Sequence, residues 1–269
     1  MKNILVPIDF SEASLNALLF AAELAKRSSA HLVIGTVVPA ERIEDDASAR
    51  LDDVLIGLRN GFGQDVNCTP VVGIGDLIDS IMEMIDAHQA DLIVMGTKGA
   101  SGLKEILIGS NTVKVLARTT APVLVVPELA LFDQFLDTGR NKIVLATDLD
   151  EVNNESALEL LKEIALLIKS PRVKVVSVRP KNTDLDHMKR LQRDALLGLF
   201  NPEMESERAT VFSNNVMSGL NFYLNKNTDT GLVAMVARDT GRLIQRHFTR
   251  EMASHTHLPL LVLHDGVPT

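Results

Sequence analysis

The 269-residue chain predicts an α/β fold built twice, as two tandem doubly wound parallel-sheet domains. Three observations predict it. The sequence repeats itself, in order, across its two halves. Within each half, short apolar runs alternate with amphipathic ones. In the first half the apolar run Asp91-Leu92-Ile93-Val94 feeds directly into a glycine-spaced stretch, Met95–Thr112.

The repeat is visible in three pairs of segments. Lys2-Asn3-Ile4-Leu5-Val6-Pro7-Ile8-Asp9 returns as Asn141-Lys142-Ile143-Val144-Leu145-Ala146-Thr147-Asp148. The run from His31 to Pro39 returns as Val173 to Pro180, and Ala121–Val126 returns as Leu258–Leu263. A repeat of this length means two domains of one fold rather than a solenoid. The expected division is 1–127 for the first domain, 128–140 for a linker ending in the turn-like Asp137-Thr138-Gly139-Arg140, and 141–266 for the second.

The elements of the first half follow in order. Ser11 caps a helix running to about Ser28, with Leu15, Leu18, Leu19, Ala22 and Ala25 on one face. Residues 31–38 read as a strand, 41–60 as an amphipathic helix and Asn67–Val72 as a short strand. Asp76 opens a helix with Leu77, Ile78, Ile81, Met84 and Ile85 inward. Leu92–Met95 and Val123–Val126 are apolar throughout, as parallel strands covered on both faces should be. Gly73-Ile74-Gly75 reads as a turn, and a helix is expected over 112–119. In such sheets ligands sit at the carboxyl ends of the strands, where the strand order reverses.

Composition narrows the function classes. Hydrophobic residues make up 46 % of the chain, and no apolar run approaches the ~18 residues of a membrane span. The strand-like start with its early Asp is not expected to be a signal peptide. A net charge of −8 and only ten aromatic residues argue against nucleic-acid partners. The single cysteine, Cys68, excludes an internal disulfide and fits a cytoplasmic location.

The stretch 95–112 has the chemistry of a phosphate cradle. Gly96 and Gly99 let the backbone approach an anion, and Gly109-Ser110-Asn111-Thr112 offer N–H and hydroxyl donors where a helix starts. Turn glycines followed by a Ser110 or Asn111 cap are the plainer alternative. Lys98 stands inside the loop, where it either neutralises phosphate or is an ordinary exposed lysine. Asp9 ends the first strand, where its carboxylate can accept from a ribose hydroxyl or an adenine amine, or simply cap the next helix. Met95 packs near the base or in the core. No Walker A loop, G-x-G-x-x-G, G-x-S-x-G, HExxH or paired CxxC occurs.

The spacing G-x2-G-x9-G-[ST], the first strand ending in Asp9 and the last strand Thr119–Pro127 together resemble the universal stress protein family over about residues 1–127. The resemblance implies a Rossmann-like fold of the adenine nucleotide alpha hydrolase kind, with strand order 3-2-1-4-5. It implies ATP as ligand, with ADP or AMP as alternatives and Mg2+ allowed beside it. Asp9 would meet the nucleoside, Pro7 would shape the pocket, and the Val37 backbone would meet the adenine edge. The function implied is a nucleotide-responsive stress regulatory module rather than an enzyme, with slow ATP hydrolysis allowed. The alternatives are an adenylylating enzyme of the same superfamily and a structural scaffold. An intramolecular pseudo-dimer through the last strands, a homodimer and a regulatory protein partner are further expectations.

The second copy departs from the pattern. Met235–Thr249 lacks both glycines after the strand, and Arg246-His247-Phe248 stands where Gly109-Ser110-Asn111 would be. This half is expected not to bind ATP in the family's way, although Asp148 remains. Arg238, Arg242, Arg246 and His247 read as a solvated basic helix start in preference to an anion site. His255, His257 and His264 lack the convergence a metal site needs.

Overall fold

The computed structural model describes residues 1–42, 46–63, 66–97, 109–130, 132, 139–181, 183–238 and 258–265. They fall into two compact units, the first ending at Leu129 and the second starting at Ala130.

The first unit runs β1 (Asn3–Pro7), α1 (Glu12–Ser28), β2 (His31–Val38), α2 (Ala47–Phe62), β3 (Cys68–Ile74), α3 (Leu77–His88), β4 (Leu92–Thr97), α4 (Ser110–Leu116) and β5 (Val123–Pro127). All its strand pairs are parallel, in the order 3-2-1-4-5. Burial is compatible with that order. Ile4, Leu5 and Val6 are fully buried, and β5 is buried at every position, so β1, β4 and β5 need cover on both faces. β3 alternates between half-buried and exposed residues and takes the edge.

Helix ends are set by side chains. Ser11 accepts a hydrogen bond from Ser14 N–H at 3.3 Å to start α1, and Ser29 closes it in the left-handed region at φ 58°. Asp76 accepts from Ile78 and Asp79 N–H at 2.8 and 3.1 Å to start α3. On α1 the buried face is broad, and Ser14, Ala17, Leu18, Ala21, Ala22 and Ala25 form one stripe along it beside Ala13, Phe20 and Leu24. Leu19, expected on this face, is 48 % exposed, because the stripe advances by three and four residues and leaves it on the far side.

Three boundaries differ from expectation. The predicted 41–60 helix becomes a short 3-10 turn, Ala40–Arg42, followed by α2 from Ala47. The Gly73-Ile74-Gly75 turn begins only at Gly75, with φ +116°. Gly73 and Ile74 stay in β3 because the β2 ladder continues to Val38↔Ile74 and Met84 packs onto Gly73. The predicted 112–119 helix starts at Ser110 and stops at Leu116. Beyond it Thr119 Oγ1 accepts from Ala121 N–H at 3.0 Å, a side-chain turn that competes with helix.

The second unit runs β6 (Lys142–Ala146), α5 (Glu155–Leu166), β7 (Arg172–Arg179), α6 (His187–Phe200), β8 (Glu205–Phe212), α7 (Val216–Lys226), β9 (Thr230–Arg238) and β10 (Leu260–Asp265). Its parallel sheet has the order β8-β7-β6-β9-β10, the first unit's order repeated. The repeat extends to single hydrogen bonds. His31 N–H donates to Lys2 O at 2.7 Å, and Arg172 N–H to Asn141 O at 3.0 Å. Ile8 N–H donates to Gly35 O at 2.7 Å, and Thr147 N–H to Val176 O at 3.0 Å.

Candidate functional site

Strand geometry opens the carboxyl edge of the first sheet. The β1–β4 ladder covers Ile4↔Leu92 and Leu5↔Ile93, whereas β4 stays with β5 as far as Thr97↔Pro127. On the other side β1 ends at Pro7, opposite Gly35, while β2 continues to Val38. Odd-numbered residues of β2 turn their peptide groups toward β1, as His31 and Gly35 do. Even-numbered ones turn toward β3, as Leu32 and Val38 do in bonding Asn67 O and Gly75 N–H. Val37 is odd, so its N–H and C=O face the space past the end of β1. That is a peptide edge with donor and acceptor side by side.

Asp9 stands at the mouth of this space, its side chain exposed. Its Oδ1 accepts from Ser11 N–H at 3.0 Å and from the Ser11 hydroxyl. Burial of the carboxyl works to raise its pKa, but these Ser11 bonds, with Ser14 behind them, outweigh it and hold Asp9 below its ordinary value. An ionised carboxylate has about four acceptor positions, so capacity remains for a ligand. Ser11 is the helix cap and Asp9 precedes it, so the expected alternative that Asp9 caps α1 is replaced by a turn closed onto Ser11.

That turn is strained. Phe10, between Asp9 and Ser11, has φ 62°, a left-handed conformation that costs a side-chain-bearing residue about 1–2 kcal/mol. The Arg50 guanidinium from α2 lies 3.9 Å over the Phe10 ring, a stack worth about 0.5–1 kcal/mol at an exposed site. Sequence reasoning missed both residues. The only signal was a large aromatic directly after the strand-ending Asp.

The first turn of α1 also meets Gly96. A Cβ there would lie 2.1 Å from Ala13 O and 2.8 Å from Ser14 N. The structure thereby brings two expected site residues together, because Asp9 N–H donates to the Ser14 hydroxyl at 3.3 Å. It also gives Gly96 a packing reason to be glycine, separate from any ligand. Met95 is buried in β4, opposite Val125, and Pro7 is half-buried.

Gly109 is different. It occupies the N-cap position of α4 at φ −55°, ψ 143°, open to any residue, and a Cβ there would meet nothing nearer than Thr112 Oγ1 at 3.9 Å. Among the described residues nothing requires glycine at this position. Neither Ser110 nor Asn111 caps the helix. Both are exposed in its first turn, no described side chain makes a cap bond, and Thr112 is buried beneath them. Among the described residues no side chain accepts from the leading N–H groups of α4. Lys98 and Gly99 lie outside the described residues.

The second unit keeps the turn and fills the space around it. Leu149 has φ 64°, matching Phe10, and Asp150 N–H donates to Asp148 Oδ1 at 3.1 Å, matching Ser11 and Asp9. Lys189 from α6 donates to Asp148 O at 3.2 Å and pairs with Asp150 at 2.9 Å. The buried Asp265 carboxylate accepts from Asn153 and Asn154 N–H at 2.5 and 3.1 Å, so the chain supplies its own anion ahead of α5. The altered loop 239–249, with Arg242, Arg246 and His247, and also His255 and His257, lie outside the described residues, while Arg238 ends β9. Among the described residues no group of three or more His, Cys, Asp or Glu side chains is gathered for a metal ion. No described helix is long and apolar enough to cross a membrane.

Residues 1–127 match the family model described as the universal stress protein family. A universal stress protein of Methanocaldococcus jannaschii is 31 % identical over 141 residues, covering 46 % of this chain and 81 % of the relative. The chain belongs to the universal stress protein family. The universal stress protein YxiE of Bacillus subtilis is 32 % identical over 145 residues, covering 46 % of this chain and 98 % of YxiE. In fold the likeness spans both halves. A crystal structure of a universal stress protein from Archaeoglobus fulgidus covers 98 % of each chain with a TM-score of 0.73, at 18 % identity. Both halves of this universal stress protein therefore carry the family fold, while the family's sequence model matches the first.

Proposed function

We propose that this universal stress protein binds ATP at the carboxyl edge of its first unit and acts as a nucleotide-responsive regulatory module. The observation that carries the reading is the start of α4. Among the described residues Gly109 has no internal reason to be glycine, and no side chain accepts from the N–H groups beyond it. Phosphate oxygens are suited to both, since they fill the space a Cβ would take and accept from the N–H groups.

In this reading Gly96, Lys98, Gly99, Gly109, Ser110, Asn111 and Thr112 surround the phosphates. Asp9 takes a ribose hydroxyl or an adenine amine, the Val37 peptide edge meets the adenine, and Pro7 and Met95 form the floor. ADP and AMP share the nucleoside contacts, and Mg2+ would accompany the phosphates. The proposed division is a nucleotide-binding domain over 1–127, a linker over 128–140 and a degenerate domain over 141–266. ATP bridging the first strand and the glycine loop would order a surface for a regulatory protein partner.

The test is titration calorimetry of the full chain with ATP, beside mass spectrometry of nucleotide that co-purifies with it. The expected result is bound adenine nucleotide in the parent chain and its loss in Gly109→Arg with unchanged thermal stability. Equal binding by the two proteins would remove the site assignment. Steady release of pyrophosphate with an acceptor would favour an adenylylating enzyme instead.

A further inference from the structure

Both units place a cation from the helix after the second strand onto the strained turn after the first strand. In the first unit the Arg50 guanidinium stacks on Phe10 at 3.9 Å, and Phe10 has φ 62°. In the second, Lys189 grips Asp148 O and the Asp150 carboxylate beside Leu149, which has φ 64°. The partners differ, aromatic face in one and oxygen atoms in the other, yet the helix, the turn and the left-handed residue correspond. A left-handed Phe or Leu persists only where its surroundings hold it. In each unit a cation from another element reaches this turn, beside the Ser14 hydroxyl on Asp9 N–H in the first and the packing that buries Leu149 in the second.

We propose that Arg50 is a positioning residue for Asp9, acting through Phe10 and touching no ligand itself. The inference rests on the nucleotide reading above. The chain of cause is short. The left-handed Phe10 brings Ser11 back onto Asp9, so that Ser11 N–H and hydroxyl both meet Asp9 Oδ1. With Oδ1 fixed in this way, the carboxylate has one orientation to offer a nucleoside hydroxyl or amine. Without the Arg50 stack, Phe10 relaxes toward negative φ, the Ser11 bonds loosen and Asp9 samples several rotamers. A ligand must then select the competent fraction, and its apparent affinity falls by that fraction.

The experiment measures ATP affinity of the full chain in six proteins: the parent, Arg50→Ala, Arg50→Lys, Phe10→Gly, the Arg50→Ala/Phe10→Gly double variant and Lys189→Ala. Arg50→Ala is expected to weaken ATP binding about three- to tenfold, with Arg50→Lys intermediate, since a lysine also stacks on an aromatic face. Phe10→Gly is expected to bind close to the parent, because glycine takes positive φ without strain. In the Phe10→Gly background, removing Arg50 should cause no further loss. A merely structural role, or a direct contact from Arg50 to the nucleotide, would leave the double variant as weak as Arg50→Ala, and either outcome overturns the proposal. So would Arg50→Ala binding like the parent. Lys189→Ala, which loosens only the second unit's turn, is expected to leave ATP affinity unchanged. If the parent takes up no nucleotide, the nucleotide reading fails on its own. The clamp is then read by NMR titration of Asp9, whose pKa is expected to rise in Arg50→Ala and to return in the double variant, while an unchanged value refutes it.

Discussion

Two glycines of the phosphate-loop pattern have opposite physical reasons to be glycine. At Gly96 a Cβ would overlap the Ala13 carbonyl of α1 at 2.1 Å, and both partners are backbone atoms that cannot step aside. At Gly109 the space is open and φ is negative. Gly96→Ala is therefore expected to cost about 3 kcal/mol or more of stability, at or above the upper end for overpacking, and Gly109→Ala less than about 0.5 kcal/mol. Denaturant unfolding of the two variants checks this. Equal losses would mean that α1 yields easily, or that a neighbour of Gly109 outside the described residues fills the space. The spacing of these glycines was legible in the sequence, and so was their shared loop. The division of labour was not, because it depends on how closely a helix from another part of the chain approaches. Phe10 and Arg50 escaped notice for the same reason: forty residues separate them, and neither belongs to a motif.

Among the elements, the strands were legible from short apolar runs and from the repeat, their order from the family resemblance, and the starts of α1 and α3 from Ser11 and Asp76. Errors gathered where tertiary contact overrides local pattern. Met84 lying on Gly73 keeps that glycine in β3, and Leu19 looks like core until the buried face of α1 is traced. The amino-terminal edge of the second sheet offers a similar case. Asp229, in the turn before β9, accepts from Lys142 of β6 at 2.8 Å and from Arg172 of β7 at 2.9 Å. Burial works to raise its pKa, but Lys142 and then Arg172 outweigh it and place it below its ordinary value of 3.8. A carboxylate lowered in the folded state contributes stability that is complete above its unfolded value. That contribution is lost as pH falls through the lower folded value. Asp229→Asn should thus be less stable than the parent by a constant margin above about pH 5, and the margin should shrink below 3.8. Urea midpoints of both proteins across that range are the measurement, and a margin independent of pH would show that the Asp229 charge contributes nothing.

For the whole chain, sequence and backbone age at different rates. The second unit repeats the first in strand order, in single ladder bonds and in the left-handed residue after its first strand. Yet the family's sequence model matches residues 1–127, and the glycine spacing is gone from 235–249. A fold survives so long as apolar residues stay at the right period, whereas a phosphate loop is lost with one or two glycines. The space at the second unit's carboxyl edge has meanwhile acquired contents of its own, Lys189 on the Asp148 turn and Asp265 on the N–H groups ahead of α5. A nucleotide entering there would have to displace a lysine pair and a carboxylate already bonded twice, with no glycine loop to compensate. The reading therefore predicts one ATP per chain. Calorimetric titration should give a stoichiometry near one, abolished by Asp9→Ala with Gly109→Arg and unaffected by Asp148→Ala. A stoichiometry near two, or a loss on changing Asp148, would mean that the second unit binds nucleotide by contacts other than those of the glycine loop.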